Sequence, residues 1–364
     1  MKIGIVTFEF NYNYGAILQA TALQDMLQSL GHKVEIVNRG WNDDSKRTKN
    51  KFRYLISKFL GKFYTLREIN RYKKKHLNRS RKVSNDKEIR ELFKEYDIIF
   101  FGSDQIWNSD CIKNMGLYYY GIHVDTQKTR MIAYAPSFGQ NSFNASPEIR
   151  KAVSNLFNKY TAISTREEDG LYILKDLFNI EEAVKVLDPT MLHDVDYYHK
   201  LANIKNKKLT NNTLAYYLLD KTEKKLDTVY RLAAKLGLKP ININVGDENI
   251  NCKFKFIRKL QSLKYPSIEN WLRNISEANF IITDSFHGTV FSIIFNKQFL
   301  TFGNDKRGNS RFINILSMLD LKDNLFIDSE INIDNIPSVN YDIVNKKLKL
   351  FKEESINFIN NSLK

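Results

Sequence analysis

NFIITDSFHGTVFSIIF, residues 279–295, decides the fold class. Phe280, Ile281 and Ile282 form an unbroken apolar run, as a strand buried on both faces requires, and the run stops at Thr283, Asp284 and Ser285. His287 and Gly288 then open a second apolar stretch, Thr289 to Phe295, that reads as a helix. A strand that passes at once into a helix is the repeating unit of a parallel α/β sheet, and ligands of such sheets bind at this corner. The helix N-terminus offers unpaired N–H groups and a partial positive charge there. An acid, two hydroxyls and an imidazole in five residues suit an anion-handling site. The same residues also read as an Asp/Ser cap with a His packed on the sheet edge.

The pattern continues outward from this corner. KIGIVTF (2–8), KVEIVN (33–38), DIIFFGSD (97–104), RMIAYAPSFG (130–139) and TAIST (161–165) read as strands. Helical segments at 14–31, 87–96, 148–160 and about 166–177 separate them. Pro189 in LDPTML marks a domain exit, and NIKNKKLTNN (203–212) a polar connector. The second half restarts with strands TLAYYLLD (213–220), KPININ (239–244) and QFLTFG (298–303), and helices at 268–278 and 311–320. The expected architecture is α/β, with two Rossmann-like domains facing a cleft: 1–195, 196–340 and a closing helix over 341–364.

Length and composition agree with this. The chain has 364 residues, 43% of them hydrophobic, enough for two cores but not for disorder. Its apolar runs fall short of the roughly 18 residues a spanning helix needs, and the N-terminus enters a strand with no visible signal peptide. A cytoplasmic location is expected. Cys111 and Cys252 are too few and too far apart for a disulfide framework or a zinc site. Residues 46–90 carry 17 Lys/Arg against Glu68, Asp86 and Glu88, so +14 of the chain's +15 lies in this stretch. Phe52, Tyr54, Leu55, Ile56, Phe59, Leu60, Phe63 and Tyr64 recur there with helical spacing. Two readings stay open: a solvated basic helical insertion, or a peripheral contact with an anionic inner membrane face or an acidic polymer. No nucleic-acid-binding motif accompanies the charge.

Polar clusters fall at the other strand ends. Asn11, Tyr12, Asn13, Tyr14 and Gly15 follow the first strand without the glycine triplet of a dinucleotide site. Gly102, Ser103, Asp104 and Gln105, followed by Trp107, end the strand at 97–104, where an Asx turn serves equally well. Arg166 stands where a strand becomes a helix, a place that disfavours a cation unless an anion is present. Lys306, Arg307 and Arg311 follow another strand, with Gly308 among them permitting close backbone approach. There is no His-rich metal cluster, catalytic Ser/His/Asp order or phosphate-cradling lysine loop.

Taken together, NYGAILQATALQ, GSDQIWN, AYAPSFG, STREEDG, LDPT, TDSFHGTVFSIIF and RGNSR resemble the polysaccharide pyruvyl transferases, in family order from about residue 11 to 311. The resemblance implies a GT-B-like fold. It implies transfer of the enolpyruvyl group of phosphoenolpyruvate to a sugar of a surface polysaccharide or its lipid-linked precursor, giving a pyruvate ketal and phosphate. No cofactor or metal is implied, since phosphoenolpyruvate is itself a substrate and guanidinium groups can neutralise it. Arg166 and His287 correspond to the family's donor residues, with Ser285 and Gly288 beside them; which of Lys306, Arg307 and Arg311 joins them stays open. His287, Asp104 and Asp284 are the candidates for proton transfer. Asn13, Tyr14, Gly15, Ser103, Asp104, Gln105 and Trp107 are the candidates for the acceptor. A GT-B glycosyltransferase using a nucleotide sugar, or a non-catalytic binder of acidic polymer, are the competing readings.

Overall fold

The computed structural model describes residues 1–8, 13–40, 63–204, 212–244, 266–304, 308–327 and 331–364. Its first sheet is built from β1 (Lys2–Val6), β2 (Lys33–Ile36), β3 (Ile98–Phe101), β4 (Arg130–Ala133), β5 (Ala162–Thr165) and β6 (Val184–Lys185), in the order β2-β1-β3-β4-β5-β6. Every pairing is parallel. The crossovers include α1 (Tyr14–Ser29), α2 (Phe63–His76), α3 (Asp86–Phe93), α4 (Ser109–Met115), α5 (Pro147–Phe157) and α6 (Glu168–Phe178). The second unit adds α7 (Val195–Leu201), β7 (Thr213–Tyr217), α8 (Glu223–Leu236), β8 (Lys239–Asn242), α9 (Ile268–Glu277), β9 (Phe280–Thr283), α10 (Phe286–Ile294), β10 (Gln298–Phe302), α11 (Ser310–Met318) and β11 (Leu325–Phe326). Its sheet is also parallel, in the order β11-β10-β9-β7-β8.

Both sheets therefore reverse direction at the same place, beside their first strand: between β1 and β3, and between β7 and β9. In an open parallel sheet that reversal leaves a crevice at the strand C-termini, because the flanking connections leave for opposite faces. The crevices of the two sheets are brought together by a shared core. Apolar side chains run without interruption from Ile17 and Leu18 of α1 through Tyr14, Tyr198 and Trp271 to Phe291 of α10. Tyr14 packs its ring on Tyr217 and Trp271, at centroid distances of 6.4 and 5.4 Å.

The chain ends in α12 (Tyr341–Leu363), which returns to the first sheet. Ser355 Oγ accepts from Leu187 N–H at 2.9 Å, and Arg130 donates to the Leu363 carbonyl at 3.1 Å. The helix thus straps the second unit to the first. No helix among the described residues is long and apolar enough to cross a membrane. The apolar positions Phe52, Tyr54, Leu55, Ile56, Phe59 and Leu60 of the basic stretch lie outside the described residues, as do Cys252 and the side chains of Phe63 and Tyr64.

Candidate active site

The corner read first in the sequence lies at the mouth of the second sheet's crevice. Ser285 caps α10, its Oγ accepting from the Gly288 N–H. This fixes the first turn and sends His287 out of the second unit toward the N-terminus of α1. The approach is close: a Cβ at Gly15 would stand 2.0 Å from His287 Nδ1 and 2.2 Å from Cγ. Only a residue without a side chain leaves room for the imidazole. Asn13 caps α1 alongside, its Oδ1 accepting the Gly15 N–H at 3.0 Å.

From the first unit, Arg166 reaches the same point. It is 5% exposed and paired on two sides, Nε with Glu167 Oε1 at 2.8 Å and Nη1 with Asp188 Oδ2 at 2.7 Å. Its guanidinium carbon stands 4.3 Å from the centroid of the Phe286 ring, and that of Arg311 stands 5.7 Å from the same ring. One aromatic ring of α10 therefore faces two cations, an arrangement stabilised by the ring quadrupole. With its amide oxygen turned toward Arg311, Gln105 accepts from Nη2 and Nε, both at 3.2 Å. Arg166 Nη2 and His287 Nε2 are buried, with no hydrogen-bond partner among the described residues. Two polar nitrogens left without a partner in a buried site are costly unless a ligand engages them in the working state.

Asp188 Oδ2 is 3.8 Å from His287 Nε2 and also accepts from Ser103 Oγ at 3.1 Å. Electrostatics follow from this crowding. Burial works against the Asp188 charge, but His287 and Arg166 outweigh it and hold the carboxyl below its usual range. Burial pushes the His287 imidazole down, Asp188 and Asp104 pull it back up, and Arg166 and Arg311 push it down again. The net direction is downward. Arg166 is opposed by burial, but Glu167 and Asp188 keep it firmly cationic.

A cleft of about 270 Å³ opens onto His287 and Arg311, lined also by Asn13, Asp104, Gln105, Asp284 and Ser285, while Arg166 and Asp188 sit behind Phe286 and Arg311 at a much smaller void. Asp104 holds a left-handed backbone (φ 72°) and accepts the Gln105 N–H on Oδ1 at 2.9 Å. Strained non-glycine residues of this kind gather at functional sites. Across the cleft, Gly308 approaches the first unit so closely that its Cβ would meet the Gly139 carbonyl oxygen at 2.4 Å. The close approach expected of this glycine is therefore to protein backbone. Lys306 and Arg307 lie outside the described residues.

Three expected site residues have other work. Trp107 is fully buried, its ring 4.8 Å from Phe157 and 5.4 Å from Phe138 and its indole N–H on the Tyr119 carbonyl, so it cannot stack on a sugar. Tyr14 is turned into the core between the units, its hydroxyl on the Pro266 carbonyl. Asp284 accepts from the Leu219 and Asp220 N–H groups at 2.6 and 3.1 Å and pairs with Lys225 at 2.7 Å. A carboxylate so engaged anchors the loop after β7 and has both oxygens occupied by protein partners. Conversely, Asp188 and Phe286 belong to the site although sequence reasoning missed them. The signal available was LDPT itself, an acid before a proline in a buried segment.

Solved structures share the fold. Anabaena Alr3699/HepE, in complex with UDP and glucose, is 10% identical over 98% of this chain and 94% of its own, with a TM-score of 0.50. The UDP-GlcNAc 2-epimerase of Methanocaldococcus jannaschii is 11% identical over 97% of this chain and 93% of its own, also at 0.50. Both are GT-B proteins, and two parallel sheets across a cleft are that architecture. No curated protein matches the chain. The model of the family described as polysaccharide pyruvyl transferase matches residues 13–306, which include all but one strand of each sheet, and the chain belongs to that family.

Proposed function

We propose that the protein transfers the enolpyruvyl group of phosphoenolpyruvate to two hydroxyls of a sugar, in a surface polysaccharide or its lipid-linked precursor. The observation that carries this reading is the grouping of Arg311 and His287 on a cleft edged by Asp104, with Arg166 directly behind them across the Phe286 ring and with Arg166 Nη2 and His287 Nε2 lacking partners among the described residues. A donor with about three negative charges needs such cations and helix N-termini around it. Two guanidinium groups offer planar, paired donors to phosphate or carboxylate.

The atoms balance as follows. A proton goes to the methylene carbon of the donor, and C2 accepts the oxygen of the first sugar hydroxyl, which loses its proton. The C2–O bond to phosphorus breaks, releasing phosphate, and the second hydroxyl oxygen closes the ketal as its proton leaves. One proton thus ends in the new methyl group and the other with phosphate. His287 supplies the acid, its Nε2 without a hydrogen-bond partner among the described residues, and Asp104 orients and deprotonates a sugar hydroxyl. Asn13 and Gln105, which line the cleft, support the acceptor side, while Ser103 is fully buried with its hydroxyl on Asp188. Side chains exposed on α2 and the segment after it, among them Arg67, Lys74, Lys75 and Lys82, suit a peripheral contact with an anionic membrane that carries the acceptor.

The test is ligand-induced stabilisation followed by turnover. Phosphoenolpyruvate at about 100 times its dissociation constant adds roughly 2.7 kcal/mol to stability. Incubation with lipid-linked saccharides should then yield a pyruvate ketal by mass spectrometry and equimolar phosphate. Stabilisation by UDP-sugars alone would replace this reading with that of a glycosyltransferase.

A further inference from the structure

Asp188 has no bond to make or break in that chemistry, yet it touches more of the site than the groups that do. It is 1% exposed, at the end of the first unit, with its backbone held by the Leu187 N–H bond to Ser355 on α12. Oδ1 is fully engaged by Thr190, accepting from its N–H at 3.0 Å and its hydroxyl at 2.7 Å. Those two bonds prevent the carboxylate from rotating. Oδ2 is thereby presented in one direction, where it meets Arg166 Nη1 at 2.7 Å, Ser103 Oγ at 3.1 Å and His287 Nε2 at 3.8 Å.

We propose that Asp188 is a positioning residue that couples Arg166 to His287: it clamps the guanidinium within the first unit and sets a fixed negative charge beside the imidazole supplied by the second. The turnover arm of this inference rests on Arg166 and His287 serving the donor. The 3.8 Å separation is the telling feature. It is too long for a hydrogen bond, so Asp188 does not take the Nε2 proton, but short enough for its charge to favour an imidazolium. The N–H stays available to a donor oxygen. The other charged groups facing His287 are Asp104, which acts in the same sense, and Arg166 and Arg311, which oppose it. When an anionic donor offsets the two guanidiniums, Asp188 leaves His287 poised to gain a proton and pass it on.

The experiment follows the imidazole directly. Full-length protein with labelled histidine is titrated by ¹³C and ¹⁵N NMR without substrate, His287 being assigned by H287A. In folded D188N the His287 midpoint should fall by about one unit or more, the usual effect of losing an opposite charge at this range. In wild-type protein, which needs no variant to fold, the neutral ring should carry its proton on Nε2. The pH limit of kcat on phosphoenolpyruvate should move with the NMR midpoint, whereas a purely structural role would lower kcat without moving it. An unchanged midpoint in folded D188N, or a neutral wild-type ring protonated on Nδ1, overturns the proposal. The NMR outcomes stand even if phosphoenolpyruvate proves not to be the donor.

Discussion

At position 15 the site depends on a missing atom. A Cβ there would lie 2.0 Å from His287 Nδ1 and 2.7 Å from Cε1, well inside any tolerable contact. Ala at this position suits the first turn of a helix, so the cost falls on the imidazole rather than on α1. Gly15→Ala should therefore lower kcat by about 10²-fold, the penalty of displacing a reacting group by about an ångström. His287→Ala should cost between about 10²- and 10⁴-fold. Steady-state kinetics alongside circular dichroism would check both. A Gly15→Ala enzyme of normal kcat would mean that His287 does not work from the position it occupies here.

At the scale of elements, the site is the meeting of the β5–α6 and β9–α10 corners with the loop after β3. Phe286, in the first turn of α10, joins them by facing Arg166 of one unit and Arg311 of the other. Desolvated cation–π contacts of this kind contribute about 2 kcal/mol. Phe286→Leu keeps the apolar volume and removes the ring face, so donor affinity should fall by about tenfold, equivalent to about 1.4 kcal/mol. The kcat at saturation should change much less. Isothermal titration with phosphoenolpyruvate against wild type decides this, and equal affinities would show that the two cations need no aromatic support. Arg166→Lys should weaken donor binding further, since Lys keeps the charge and loses the fork that spans Glu167 and Asp188.

Across the whole molecule, charge is as unevenly distributed as function. Exposed Arg67, Arg71, Lys74, Lys75, Arg79, Arg81 and Lys82 line α2 and the segment after it. Surface pairs with Glu68 and Glu95 engage Arg71 and Arg81 and offset little of this charge. Near an anionic surface each cation contributes about 1 kcal/mol, and salt screens it. Sedimentation should therefore recover the protein with anionic vesicles at low salt, and in the supernatant with neutral vesicles or at high salt. Recovery in the supernatant under every condition would remove the membrane contact and leave the cleft chemistry untouched.

The strands and helices were legible because their signals are local. Ile98–Phe101 and residues 280–282 are runs of apolar residues that mark buried strands, and Asn13 and Ser285 cap helices through neighbours two or three residues away. The same locality exposed the corners, since polar clusters that end buried strands stand out against them. Trp107 and Tyr14 were misplaced because an aromatic next to a polar turn looks the same whether it faces a cleft or a core. Asp284 looked like a base until β7 folded beside β9 and laid the Leu219 and Asp220 N–H groups and Lys225 upon it. Asp188 went unread beside Pro189, the expected domain exit, because its partners Arg166, Ser103 and His287 come from three separate elements. Residue patterns encode which face of an element is buried. What a buried polar group does depends on partners brought together by closure of the two sheets, and no local spacing records them.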